Sequence, residues 1–475
     1  EEFKEFVQAA HARGIRIILD IVYNHCGNGH WAFADAAKNG PQSPSYNWFE
    51  FKKWPLPERF GGGGAKPEDY YACWWGFGDL PDLNFDLSRP NAQENGVKSI
   101  AEAQPNRPLL QHLSEVTAFW IGAMDCDGVR LDVPNEVPFW FWKEFNREVK
   151  ALKKDAYIVG ELWGNATDWV KPGTFDAVMN YAFFRDPVTK FLGLGQGSAA
   201  EFDGALAQGR LAYPSQAVEV QMNLIDSHDT PRFLTQVNGN VKRLKLAALF
   251  AMTYVGAPQI YYGDEVGMEG GKDPDCRRPF YWDYAKDPWR VELLEYYRRL
   301  TRARHSSPAL RTGDFRTLAA EGKTYAYLRS GGGEQWLVAL NAGPAAAEVT
   351  VDLAGLGASV QATDVLEAAV VTASLEEAVA DCSLVIGTSA RERRIQWPQL
   401  GPRELGDGHL GQHRLPLRHQ ARIVRHPRPG ANRRIPNPPG RLSQPGSCSP
   451  GSGGAHLRLQ GPDSKGRDPL RDRAR

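Results

Sequence analysis

Apolar residues change their spacing twice near the start of the chain. Phe3, Phe6, Val7 and Ala10 recur at helical intervals, Gly14 ends that run, and IRIILDIVYNH (15–25) follows as an almost unbroken β-type stretch. Helix and strand then alternate. GAMDCDGVRLDV (122–133), AYIVGELW (156–163), FDAVMNY (175–181), VEVQMNLIDSHD (218–229) and APQIYYGDE (257–265) read as strands. FWFWKEFNREVKAL (139–152), a stretch ending near residue 212, RLKLAALFAMTYV (243–255) and WRVELLEYYRRLTRAR (289–304) read as helices. Strongly apolar strands spaced by amphipathic helices predict a parallel sheet covered by helices. The pattern alone does not separate a closed barrel from an open, doubly wound sheet.

Two regions leave this rhythm. Residues 26–107 form a Gly-, Pro- and Trp-rich insertion, too long for an ordinary connection and too aromatic for disorder, which predicts a folded functional subdomain. From about 308 the chain turns to short β runs, KTYAYLR, QWLVALN and AEVTVDL, parted by Gly-rich turns; these predict a small antiparallel β-sandwich.

Composition adds a division of the chain. The 475 residues, 42% hydrophobic and 11% aromatic, suit one large domain with one or two smaller ones. Fourteen Trp offer flat faces that fit sugar rings, and that fill large cores equally well. The zero net charge hides two compositions: residues 391–475 hold 18 basic and 6 acidic residues, leaving 38 basic and 50 acidic in 1–390. Six cysteines (Cys26, Cys73, Cys126, Cys276, Cys382, Cys448) without CxxC spacing argue against a zinc knuckle or a disulfide framework and point to a reducing, cytoplasmic setting. No apolar run reaches the roughly 18 residues of a membrane helix. The chain opens without Met, already inside a helical pattern, so its N-terminus is expected upstream and secretion is not excluded.

Polar residues inside the strands gather at their C-terminal ends. DIVYNH ends in Asn24 and His25, GVRLDV carries Arg130 and Asp132, IVGELW carries Glu161, and NLIDSHD ends in His228 and Asp229. In a parallel barrel these ends open onto one face, where active sites are built from several strands. A structural ion pair explains any one of these residues. A set arriving at four strand ends is better explained as a site. Arg130 can hold Asp132 ionised and oriented as a nucleophile, while Val159, Leu162 and Trp163 around Glu161 favour the neutral, proton-donating acid. Two carboxylates in unlike surroundings are the machinery of glycoside hydrolysis, and a gap of about 5–5.5 Å between them would mean retention of configuration.

GVRLDVPNE, GELW, NLIDSHD, DIVYNH and the insertion's LPDLN resemble, in order and spacing over roughly residues 1–370, the motifs of the α-amylase family of glycoside hydrolases. The resemblance implies a (β/α)8 barrel with Asp132 as nucleophile and Glu161 as general acid/base. It implies Asp229 as the third carboxylate, with His25 and His228 at the same subsite, Arg130 orienting the nucleophile and Asp20 as that arginine's structural partner. RLDVPNEV, TFDAVMNY, SHDTPRFL and YYGDEVGMEGGKDPDCRRPF resemble the neopullulanase, cyclomaltodextrinase and maltogenic amylase branch, which cleaves cyclodextrins, pullulan and starch fragments. There Asp273 and Arg277 would bind glucose units on the non-reducing side of the cut, and Trp163 would stack beyond it. On residue types alone, Asp273 and Arg277 also fit a surface ion pair. Asp82 departs from the branch, which carries lysine at that place, and this leaves α-glucosidase-type or amylopullulanase-like specificity open. No organic cofactor is implied. Calcium is common in the family and Asn24 lies where one site recruits an amide, but a backbone-bonding Asn explains the residue as well, and no metal is assigned.

The same resemblance makes DIVYNH the third of eight strands. The expected architecture is therefore a (β/α)8 barrel lacking its first two strands over 1–307, with subdomain 26–107 inserted after strand three, and a partial β-sandwich over 308–372. Strands three and eight would be left unpaired, so the chain is expected to be poorly soluble and of low activity. A domain through which this branch commonly dimerises would precede the sequence. Residues 373–406 resemble a stretch of SpoU-type RNA ribose 2′-O-methyltransferases; 407–475 read as a disordered tail. Residues 391–475 hold 12 of the 33 prolines and 17 Arg against one Lys, a bias expected of GC-rich coding sequence read in a wrong frame. A nucleic-acid-binding arm would interleave aromatics. The expectation is a retaining hydrolase of α-1,4 and some α-1,6 bonds in α-glucan oligosaccharides or polysaccharides, with no nucleic acid or membrane partner. A non-catalytic sugar-binding member of the fold would have lost carboxylates that this chain keeps, and a methyltransferase-linked RNA-binding protein would need catalytic motifs it lacks.

Overall fold

The computed structural model describes residues 1–60, 64–88 and 100–352, with the short strands 385–387 and 454–459. It divides into a first unit, residues 1–186, 206–224 and 256–259, and a second, residues 187–205, 225–255 and 260–475. In the first unit the strands β1 (Ile18–Val22), β2 (Gly128–Asp132), β3 (Tyr157–Gly160) and β4 (Ala177–Val178) pair in parallel in chain order. β5 (Met222–Asn223) and β6 (Ala257–Pro258) form a further parallel pair, and a parallel Met179–Met222 bridge joins the two sets. Six parallel strands thus succeed one another as the alternating pattern predicts. β2 is buried along nearly its whole length, as an interior parallel strand must be, while edge strand β1 leaves Ile18 and Val22 exposed.

The later strands are shorter than their apolar runs. Of 218–229 only Met222–Asn223 pairs, because Ser215–Val218 is already a helical turn and the Gln221 side chain, not its backbone, accepts the Val178 N–H at 3.0 Å. The helix Phe139–Leu152 follows its pattern closely. Phe141, Trp142, Phe145 and Val149 turn inward, and the rings of Trp142 and Phe145 pack edge-on against Tyr23, which follows β1. Trp142 is fully buried and spends its indole N–H on Pro134 O at 2.9 Å, so the ring carries no unsatisfied donor into the core. The described part of the insertion joins the same buried core as β2 and the helix Phe139–Leu152. The ring of Phe33, on the helix Trp31–Asn39, meets Phe49, Phe51 and Tyr71, and isolated bridges such as Phe49–Leu83 and Cys73–Pro81 take the place of a regular sheet.

The second unit contains the helices Val241–Thr253 and Pro288–Ser306 and the strands β7 (Asp314–Glu321), β8 (Thr324–Gly331), β9 (Glu334–Asn341), β10 (Ala347–Asp352), β11 (Val385–Gly387) and β12 (Gly454–Leu459). β7, β8 and β9 form an antiparallel meander. β8 and β9 are joined by Gly332-Gly333, both at positive φ, the backbone that a two-residue hairpin demands. Buried Arg329 ties this meander to the helix end, donating to Thr253 O at 2.7 Å and Gly313 O at 2.9 Å. β11 lies parallel to β9, and β12 antiparallel to β10. The tail's composition did not indicate a strand at 454–459. Apart from these two strands, segment 373–406 and tail 407–475 lie outside the described residues. Among the described residues no helix is long and apolar enough to cross a membrane.

Entry into β2 is fixed by Asp127. Its carboxylate accepts from Ile17 N at 2.8 Å, pairs with Lys153 Nζ at 2.9 Å, and lies 2.7 Å from His11 Nε2. Burial is the largest single influence and opposes ionisation, but the Lys153, Ile17 and His11 contacts outweigh it and hold the carboxyl at about 2. A depressed folded pKa stabilises above the unfolded value near 4 and is lost as pH falls from there toward 2. Asp127→Asn is therefore expected to cost about 2 kcal/mol at pH 7 and little at pH 2, as read by urea melts at the two pH values.

Candidate active site

Strand register builds the charged cluster of the first unit. Pairing sets Asp20 beside Arg130 and Val22 beside Asp132, and sets Leu131 beside Gly160. Side chains level on adjacent strands share a face, and residues two apart on one strand do too, so Asp20, Arg130 and Asp132 are brought together by backbone geometry. Arg130 Nη1 donates to Asp20 Oδ1 and to Asp132 Oδ1, each at 2.8 Å. Its Nη2 lies 2.6 Å from Glu161 Oε2, an ion pair in which the N–H is not aimed along the contact. Burial opposes Arg130's charge more than any other single influence, yet Glu161, Asp20 and Asp132 together raise its pKa above the ordinary guanidinium value.

Glu161 follows β3 directly and extends its ladder, its N–H donating to Leu131 O at 2.9 Å. Gly160 before it must lack a side chain, since a Cβ there would lie 2.8 Å from the Phe175 ring. Sequence reasoning gave Glu161 apolar company. The side chain is indeed only 5% exposed, but the Arg130 guanidinium reaches it and Tyr181 Oη donates to Oε1 at 3.5 Å. Immediately after Asp132, Val133 sits at φ +43°, a left-handed conformation that costs a β-branched residue about 1–3 kcal/mol.

Around this cluster His25 is buried and stacked on Trp74 at 4.9 Å; burial lowers its pKa, with the Asp132 charge opposing. Trp163 is half-exposed and lies flat on Tyr181 at 4.3 Å. In the second unit Asp229 is held by His228 Nε2 at 3.1 Å and Arg277 Nη2 at 2.6 Å. Arg277 also pairs with Asp273 four residues earlier. Asp273 and Arg277 form a half-exposed ion pair, and Arg277 also reaches Asp229.

The residue that departs from the branch pattern has unusual surroundings. Asp82 is 4% exposed and bridges antiparallel to His25; Asn24 Nδ2 stands 3.5 Å from both Asp82 Oδ1 and Glu136 Oε2. Burial, then the charges of Glu136 and Glu50, push the Asp82 carboxyl up to about 7, with Lys52 opposing. Asn24 turns its NH2 toward these two acids. Sequence reasoning missed Glu136, although it lies inside the quoted GVRLDVPNE motif, because only the fold brings residue 82 to residue 136.

The family model described as alpha amylase, catalytic domain, matches residues 1–313. The chain is 40% identical over 333 residues to neopullulanase 2 of Thermoactinomyces vulgaris, covering 69% of this chain and 52% of that protein. It is 38% identical over 359 residues to a cyclomaltodextrinase of Geobacillus thermopakistaniensis, covering 75% and 56%. The crystal structure of the acarbose-soaked Nostoc punctiforme debranching enzyme matches with a TM-score of 0.64 at 36% identity, covering 74% of this chain and 72% of that one. The chain spans about half the length of the curated relatives it matches.

The raised Asp82 carboxyl gives a signed expectation. A folded pKa of about 7 means the buried acid holds its proton more tightly than the unfolded chain does, so stability falls as pH rises from about 4 to 7 and stays low above. Asp82→Asn removes that penalty. The variant should gain roughly 2–4 kcal/mol over the parent at pH 8 compared with pH 4, measured by denaturant melts at both. An equal change at the two pH values would contradict the assignment.

Proposed function

Because the chain belongs to the α-amylase catalytic-domain family, whose fold is the (β/α)8 barrel, we propose that it is a retaining α-glucan hydrolase. Its substrates are α-1,4 and some α-1,6 glucosidic bonds in cyclodextrins, pullulan, starch or maltooligosaccharides. The observation that carries this reading is the single Arg130 guanidinium in contact with both Asp132 and Glu161. One cation shared by two carboxyls keeps them at a common place while leaving their duties distinct. Asp132 attacks the anomeric carbon as Glu161 gives a proton to the departing oxygen, forming a glycosyl-aspartate. Water, deprotonated by Glu161, then releases the sugar with its configuration retained. Arg130 aims the nucleophile through its hydrogen bond to Asp132, with Asp20 holding Arg130.

The remaining roles follow the family motif residue by residue. Asp229 grips sugar hydroxyls with His228 and His25, Trp163 stacks beyond the cut, and Asp273 with Arg277 binds the non-reducing side. The departure at Asp82 favours keeping an α-glucosidase-type preference as a second reading. A non-catalytic, sugar-binding role is disfavoured by the presence of all three carboxylates. Buried free thiols at Cys73, Cys126 and Cys276 support a reducing, cytoplasmic location.

A trap that needs only one turnover tests the assignment. Incubation with a 5-fluoro-α-glucosyl fluoride should leave a covalent sugar on the peptide containing Asp132, found by mass spectrometry, and none on Asp132→Asn. Glu161→Ala should lower turnover on maltotriose on the order of 10²–10⁴-fold. Azide should restore turnover of that variant on 4-nitrophenyl α-maltoside, with an α-glycosyl azide as product. Labelling elsewhere, or a β-configured first product, would remove the mechanism.

A further inference from the structure

Trp75 is 70% exposed, and its backbone is left-handed at φ +50° and ψ +27°. Both features are costly for a bulky aromatic, and neither is repaid by packing in a core. The turn that carries it is nevertheless firmly made. Trp74 N donates to Leu80 O at 2.9 Å, Phe77 N to Trp74 O at 2.9 Å, and Cys73 bridges Pro81. The indole is fixed as well: Nε1 donates to Glu136 Oε1 at 3.1 Å, four residues past Asp132. With its one polar atom committed, the side chain has only ring surface left to offer. Its neighbours complete a series, because Trp74 lies 5.5 Å from Trp75 at 34° and 4.9 Å from His25 at 23°. Aromatic surface therefore runs from His25 outward to an indole open to solvent and held in one orientation.

We propose that Trp75 is a specificity-determining residue that stacks on a glucose ring of the α-glucan remote from the scissile bond. The assignment rests on the hydrolase reading above. A backbone outlier maintained at an exposed position is a sign of a functional constraint, and an indole ordered before binding loses little entropy when a sugar lies on it. A flat apolar face with no free donor suits the C–H side of a pyranose and leaves the linkage to be read elsewhere. Because the Trp74 ring stands between Trp75 and His25, the contribution of Trp75 should grow with chain length and vanish for substrates too short to reach it.

Trp75→Asn separates this from a structural role, since Asn accepts the left-handed backbone that Trp resists. The variant is expected to raise the melting temperature by about 2–4 °C. It should raise KM for maltoheptaose and β-cyclodextrin roughly tenfold, and leave kcat and the KM for 4-nitrophenyl α-maltoside near the parent values. Trp75→Phe should recover most of the lost affinity. Labelling of Asp132 by the fluoroglucoside, a single sugar, should be unchanged in both variants; its loss in the parent chain would overturn the hydrolase reading instead. Equal KM changes for long and short substrates, no change for either, or a shift in oligomeric state on size exclusion would each overturn the role of Trp75.

Discussion

Three carboxylates of the candidate site are arranged around one guanidinium. Arg130 lies on an interior strand where a cation is expensive, and three carboxylates reach it because parallel register places Asp20 and Asp132 on its face and sets Glu161 one residue beyond the end of β3. Such a buried cluster is a weak source of stability, since apolar residues of similar volume often do as well or better. Removing one member, however, strands the others. Asp20 is the most exposed of the three acids that hold the arginine, and Asp132 and Glu161 are the more sheltered. Asp132 and Glu161 are not independent residues that happen to be near one another, because they share one guanidinium as counterion.

Much of this was legible in the sequence, for reasons that can be stated position by position. Interior strands of a parallel sheet must be apolar on both faces, so an Arg and an Asp inside GVRLDV could not be ordinary surface residues; β2 is buried on both faces, as that argument required. Helix 139–152 was equally plain, because four large inward residues at helical spacing admit one packing solution. The short strands β4, β5 and β6 were overestimated, since apolar runs report burial, and burial continues where ladder pairing stops and side chains such as Gln221 take over the hydrogen bonds. What could not be read was contact between distant segments. Glu161 shows only apolar neighbours along the chain, and the guanidinium comes to it from another strand. Asp82 is visible as a departure from a motif, but its burial beside Asn24 and Glu136 depends on how the insertion folds back. The 407–475 tail was read from composition, and composition carries no information about which strand edge a short segment such as 454–459 will meet.

Among the described residues of the first unit, three departures from local rules lie near the candidate chemistry. Val133 takes a left-handed backbone next to Asp132, Trp75 does the same while exposed, and Asp82 is a buried acid lacking a close cationic partner strong enough to keep it charged at mild pH. Ordinary folding would remove each of these, since a Gly or Asn at 75 or 133 and an apolar or amide residue at 82 would be easier to accommodate. The violations are also connected. Glu136 accepts the Trp75 indole N–H with one oxygen and faces Asn24 with the other, and it belongs to the turn that Val133 opens.

That connection gives the insertion a definite mechanical relation to strand β2. The backbone bend after Asp132 directs the chain so that Glu136 can bond an indole 61 residues away in sequence, and the same bend ends β2 at the point where Asp132 leaves its ladder for Arg130. A strand that continued straight through Val133 would carry Glu136 away from Asn24 and Trp75, and would leave Asp132 inside a regular ladder rather than at its end. The left-handed backbone at Val133 thus sets the end of β2 and the place of Glu136 together, at a cost of about 1–3 kcal/mol for a β-branched residue.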